Sequence, residues 1–228
     1  MKPCERWTAV LLVLLALSGC GRRTVRQASG GMWPTIAPGD DVTIGPTHDI
    51  HRGDLVVVAD PHSRNDTHVR RVIAVAGDTF ATDRDRAIVN GREVPRCRVG
   101  PFEGTLPGYP DERVSGEVFV EFLDSAAYLV FSDASALPGA SLDPPTGPFK
   151  VAPGDVMVLG DNRLNSVGSQ QWGNRKGVGF AESSLLGQPL RLDATTPRLF
   201  AGASSALAAG LARCMATKAS PEGSALPP

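Results

Sequence analysis

Three segments of this chain bring together residue types that could perform or assist acyl-transfer chemistry. The first is Ser29-Gly30-Gly31-Met32-Trp33-Pro34-Thr35-Ile36 and the second is His68-Val69-Arg70-Arg71-Val72-Ile73-Ala74-Val75. The third is Gly160-Asp161-Asn162-Arg163-Leu164-Asn165-Ser166-Val167-Gly168-Ser169. A serine hydroxyl becomes a useful nucleophile only when a nearby neutral base takes its proton. Lysine can be that base where a dry site lowers its pKa, and histidine can be one near neutral pH. The only lysines, Lys2, Lys150, Lys176 and Lys218, lie outside all three segments. Ser29 and His68 therefore remain as one hydroxyl-base pair. Each stands two residues before a position that lacks the chemistry, Gly31 having no side chain and Arg70 staying protonated near neutral pH.

With Arg52-Gly53-Asp54-Leu55-Val56-Val57-Val58 between the first and second, the order and spacing of these segments resemble bacterial signal peptidase I from Ser29 to about Leu192. The resemblance implies an antiparallel β core with a smaller inserted β-subdomain, and cleavage of signal peptides after small residues in an Ala-x-Ala pattern. It also implies a serine nucleophile with a lysine base, at the positions held here by Gly31 and Arg70. Ser29 matches the side-chain donor of the oxyanion hole, and the backbone N–H of Gly31 its second donor. Met32 and Pro34 match residues around the substrate groove, although Met32 and Trp33 serve equally well as core. Asp161, Asn162, Arg163, Ser166 and Ser169 keep part of the family's third segment, while Leu164, Gly168 and Gln170 replace its Asp, Asp and Arg. Without a lysine to assist, Ser169 reads as a turn or core hydroxyl.

Positioning these segments requires strands. Gly-Asp pairs at 39–40, 53–54, 77–78 and 154–155 punctuate short β-branched runs, Asp41–Ile44, Leu55–Ala59, Val69–Val75 and Val156–Leu159. Glycine supplies turn geometry, and valine and isoleucine favour a half-buried pleated backbone. Asn90-Gly91 suits a two-residue hairpin turn within Ala87–Val94. The expected organisation is a core over 29–97 and 150–192, an inserted β-subdomain over 98–149 with strands Glu117–Leu123 and Tyr128–Phe131, and an Ala/Ser/Pro-rich tail over 193–228 with one helix near Leu199–Met215. On a strand, His68 and Arg70 share a face. A two-residue displacement is about 6–7 Å, too far for an unadjusted Ser29–His68 hydrogen bond.

The N-terminus carries an address. The apolar run Trp7–Leu17 is short of the roughly 20 residues that span a bilayer as a helix and has the flanks of a secretory signal. Leu17-Ser18-Gly19-Cys20 resembles a lipobox, so residues 1–20 are expected to be a lipoprotein signal, Cys20 to be lipidated and 21–28 to be a linker. Gly21, in place of a retaining aspartate, favours the outer over the inner membrane, with the domain on the periplasmic face. Cys97 and Cys214 can pair in such a compartment or remain free thiols. Among the 228 residues, 42% are hydrophobic and 21% charged, and Lys plus Arg, 23, balances Asp plus Glu, 24. That balance excludes a basic nucleic-acid-binding surface. No spacing indicates a metal or other cofactor. Three functions fit: a lipid-anchored binder of exported, signal-peptide-like segments with its chemistry lost; a serine endopeptidase with a rearranged Ser29–His68 site; or a structural envelope lipoprotein with Trp33 blocking the groove.

Overall fold

The β-branched runs become strands whose register carries the chemistry-bearing residues to one corner. The computed structural model describes residues 23–60, 63, 66–133, 146–169, 179–192 and 205–218. Cys20, Gly21, Gln170 and most of the loop Leu137–Pro148 lie outside the described residues.

The central sheet is antiparallel, in the order β13 (Phe180–Ala181), β12 (Asp155–Leu159), β4 (Thr67–Val75), β3 (Leu55–Ala59). Its valines alternate as a two-sided sheet requires. Val56, Val58, Val72, Val156 and Val158 form one buried cluster, while Val57 and Val69 join Met32, Ile36, Val42 and Ile44 in another. Each such side chain contributes about 1.5–3 kcal/mol when fully removed from water. The second cluster also packs against a three-stranded sheet of β1 (Arg23–Arg26), β2 (Asp41–Gly45) and β14 (Gln188–Leu192).

The Asn-Gly hairpin forms between β6 (Arg86–Val89) and β7 (Arg92–Glu93), with φ of 52° at Asn90 and 76° at Gly91. These strands join β5 (Thr79–Asp83) and β11 (Thr146–Lys150) in a four-stranded sheet. The strands read at Glu117–Leu123 and Tyr128–Phe131 lie inside longer ones. They belong to β9 (Tyr109–Leu123) and β10 (Ala126–Asp133), which with β8 (Arg96–Leu106) make a three-stranded meander. The meander shares its apolar residues with the rest of the chain: Leu123, Tyr128 and Val130 pack with Ile73, Phe80, Val89 and Met157.

The helix expected near Leu199–Met215 is represented by α1 (Ser205–Lys218), and residues 199–204 lie outside the described residues. It lies against β8, where Cys97 and Cys214 form a disulfide. No described helix is long and apolar enough to cross a membrane.

Candidate functional site

The site is built from three elements. A single 3-10 turn, Gly30–Met32, presents Gly31; the β3–β4 hairpin presents Asp60, His68 and Arg70; and the loop after β12 presents Asn165, Ser166 and Val167. Together with Ser29 these residues line a cavity of about 380 Å³. The hydrophobic cluster beneath explains the turn's position, because Met32, entirely buried, pins it onto β2 and β3. Across the turn, the Asn162 backbone N–H donates to Gly31 O at 3.1 Å and its side-chain amide to Gly30 O at 3.2 Å.

A Cβ placed on Gly31 would lie 3.6 Å from Ser29 Oγ, 3.7 Å from Arg70 Nη1 and 3.2 Å from Ser166 Cβ. The exposed Ser29 hydroxyl and the buried Arg70 guanidinium thus face the same point beside the Gly31 backbone. Arg70 donates from Nε to Val167 O at 2.7 Å and from Nη1 to Val69 O at 2.8 Å. Burial pushes its pKa down to about 10, with Asp161 and Asp60 opposing the shift. It remains a cation at neutral pH.

His68 and Arg70 do share a strand face, as period two requires. The antiparallel register sets Val58 opposite His68, so Asp60, two residues on from Val58 and just past the end of β3, reaches the same side. Asp60 Oδ2 lies 2.8 Å from His68 Nε2. Asp60 was missed in the sequence, although the hairpin register could have located it.

Neighbouring Arg71 points the other way and forms a buried pair with Asp161, Nε to Oδ1 at 2.8 Å and Nη2 to Oδ2 at 2.6 Å. Thr35 donates a hydrogen bond to the same Asp161 carboxylate. Arg163, also buried, donates to Glu121 Oε1 at 2.7 Å, and Tyr128 OH donates to Glu121 Oε2 at 3.1 Å. Arg71 also stacks on the Tyr128 ring, 3.9 Å from its centroid. The phenol's pKa is raised well above its usual value, first by burial and then by Glu121. Asp161 and Arg163 therefore sit in one buried polar network, none of whose members lines the cavity beside Gly31. Glu121 and Tyr128, which sequence reasoning passed over, complete it, and nothing local in the sequence links Glu121 to Arg163, 42 residues away.

Other sequence candidates lie elsewhere. Met32 and Pro34 are buried and absent from the cavity's described walls, so their place is beneath the site. Trp33 is also turned away, into the apolar cluster of the meander and α1, and does not block the cavity. Ser169 is fully buried, its Oγ accepting from the Val158 N–H at 2.9 Å. That bond gives Ser169 the role of a core hydroxyl.

A family model described as "Signal peptidase, peptidase S26" matches residues 4–188. This chain belongs to that family. Among its curated relatives, signal peptidase I of Pseudomonas aeruginosa is 29% identical over 184 residues, covering 73% of this chain and 61% of the relative. Signal peptidase I T of Bacillus subtilis is 28% identical, covering 78% and 77%. The aligned region spans about three-fifths of the length of the two Pseudomonas relatives, 61% and 60%. A solved signal peptidase I from Enterococcus faecalis is similar over 62% of this chain and 97% of its own, at 17% identity and a TM-score of 0.34. Within the signal peptidase family, the cavity of this member holds Gly31 and Arg70 side by side.

Proposed function

We propose that this protein is a non-cleaving member of its family that holds extended, signal-peptide-like segments of Ala-x-Ala type at the extracytoplasmic membrane surface. One observation carries the reading: the point beside Gly31 has no side chain of its own and is faced by a guanidinium. Glycine cannot attack a carbonyl, and arginine protonated at neutral pH cannot accept the proton. What supports binding is the open cavity, the Ser29 hydroxyl poised beside the Gly31 backbone, and an adjoining strand hairpin. An extended peptide can add to such an edge through backbone hydrogen bonds. Lipid on Cys20 would hold the domain at the membrane. Cys20→Ser should then move the protein from the membrane to the soluble fraction; unchanged partitioning and an unlipidated Cys20 by mass spectrometry would remove this part.

The chemistry is tested by giving an Ala-x-Ala peptide to the full chain in detergent, beside Gly31→Ser/Arg70→Lys. Gly31 lies outside the left-handed φ region, so serine fits if Ser166 yields by a few tenths of an ångström. The expected result is binding without turnover by the natural chain and measurable turnover by the double variant. Binding by neither sinks the reading.

The Asp60–His68 bond favours a second reading, a serine endopeptidase in which Asp60 orients His68 and His68 deprotonates Ser29. It requires turnover by the natural chain that disappears in both Ser29→Ala and His68→Ala. Turnover surviving either substitution excludes it.

A further inference from the structure

We infer that α1 is a disulfide-latched lid: reduction of Cys97–Cys214 releases the helix from the meander and opens one side of a largely apolar cavity, while the β core stays folded. The inference is independent of the groove-binding reading above. α1 has 14 residues, a marginal length for a helix in water, and Gly210 in its middle weakens it further. Leu207, Gly210 and Cys214 are buried and Leu211 is half-buried, while the other residues of Ser205–Ala216 are exposed. Two leucines and the disulfide therefore supply the helix's apolar hold, and Arg213 Nη2 adds a hydrogen bond to Arg98 O at 2.9 Å. Leu211 and Met215 form one wall of a cavity of about 360 Å³, whose other sides include Leu55 and Arg71 of the central sheet and Val120 and Leu129 of the meander. The buried clusters built on β3, β4, β5 and β12 contain no residue of α1, so they keep their packing when the helix leaves.

The two sulfurs differ in access. Cys214 is fully buried, whereas Cys97 on β8 is only half-buried. A thiolate of a protein or small-molecule dithiol therefore attacks Cys97 Sγ. A bond forms between the attacking sulfur and Cys97, the Cys97–Cys214 bond breaks, and Cys214 leaves as a thiolate that takes up a proton. The second thiol of the reductant then displaces Cys97, so the dithiol is oxidised to a disulfide and both cysteines end as thiols. Because the crosslink spans 117 residues, its loss returns much conformational freedom to the C-terminal segment.

The experiment follows hydrogen exchange by mass spectrometry in the full chain in detergent. Three states are compared: the oxidised chain, the chain treated with dithiothreitol without denaturant, and Cys97→Ala/Cys214→Ala. Hydroxyl-radical labelling of Tyr128, a buried residue of the cavity wall, reports the opening. Exchange across Ser205–Lys218 should rise at least about tenfold in the reduced chain and in the variant. Tyr128 labelling should rise with it, while β3, β4 and β12 keep the exchange of the oxidised chain. A disulfide that resists dithiothreitol in the folded chain overturns the latch, and so does an α1 that stays protected after reduction or in the variant. Unchanged labelling of Tyr128 overturns the opening of the cavity. Loss of protection in β3, β4 and β12 together with α1, or a variant that fails to fold, overturns the lid and makes the crosslink a staple of the whole fold.

Discussion

Arg163 and Glu121 show what a single buried charge costs when its partner is lost. Both side chains are at most 3% exposed, and the pair is supported by Tyr128 and by the Gly160 and Asp85 carbonyls. Burial by itself works most strongly against the arginine's charge, yet its pKa is raised, because Glu121, Tyr128 and Asp161 together outweigh desolvation. Removing one member leaves an uncompensated charge in the core, whereas removing both leaves a site that apolar side chains can fill. Glu121→Ala should lower the unfolding free energy by about 3–5 kcal/mol. Glu121→Leu with Arg163→Met should cost much less than the single change. Urea denaturation of the three proteins measures this, and a double variant as unstable as Glu121→Ala would show that geometry rather than charge dominates.

Turns between strands are fixed by one carboxylate. Asp78 Oδ2 accepts from the Val75 N–H and from Arg52 Nε, both at 2.8 Å, while Oδ1 accepts from Asn90 Nδ2 at 2.9 Å. It thus ties the turn between β4 and β5 to the one before β3 and to the Asn-Gly hairpin. Burial raises the carboxyl's pKa, but Arg52, the Val75 N–H and Asn90 together hold it below the ordinary aspartate value. A carboxyl with a depressed folded-state pKa contributes stability above its unfolded value, about 3.9, and loses it as pH falls through the folded value. The urea midpoint should therefore fall as pH drops below about 4. Asp78→Asn should flatten that part of the slope while lowering stability at pH 7. An unchanged acid slope in the variant would place the titration elsewhere.

At the scale of the molecule, α1 is tied to a sheet that begins more than a hundred residues earlier in sequence. The disulfide closes a separation of 117 residues, and Leu207 and Cys214 are buried against the meander. Gly210 is the closest contact: a Cβ there would sit 2.0 Å from Val99 O. In an isolated helix, glycine to alanine stabilises by about 1 kcal/mol. Here the clash with a backbone carbonyl reverses the sign, so Gly210→Ala should destabilise the protein and raise hydrogen exchange across Ser205–Lys218. A variant that is more stable, with an unchanged exchange pattern, would show that the helix can shift without loss.

Within one strand or turn, the sequence alone determined a good deal. The β-branched runs, the Gly-Asp turns and the Asn-Gly hairpin are visible because backbone preference acts over a few residues. Period two likewise puts His68 and Arg70 on one face, and the lack of chemistry at Gly31 is legible from residue type alone. Tertiary structure decided which distant groups meet. It extended the meander strands beyond their β-branched centres, because cross-strand pairing carries glycine- and charge-rich stretches such as Glu103–Gly104 that propensity would not. It turned Trp33 and Met32 inward, paired Cys97 with Cys214, set Asp60 against His68 and brought Glu121 to Arg163. Side-chain burial and ion pairing depend on which surfaces the whole chain packs together, and that choice is recorded in no single segment.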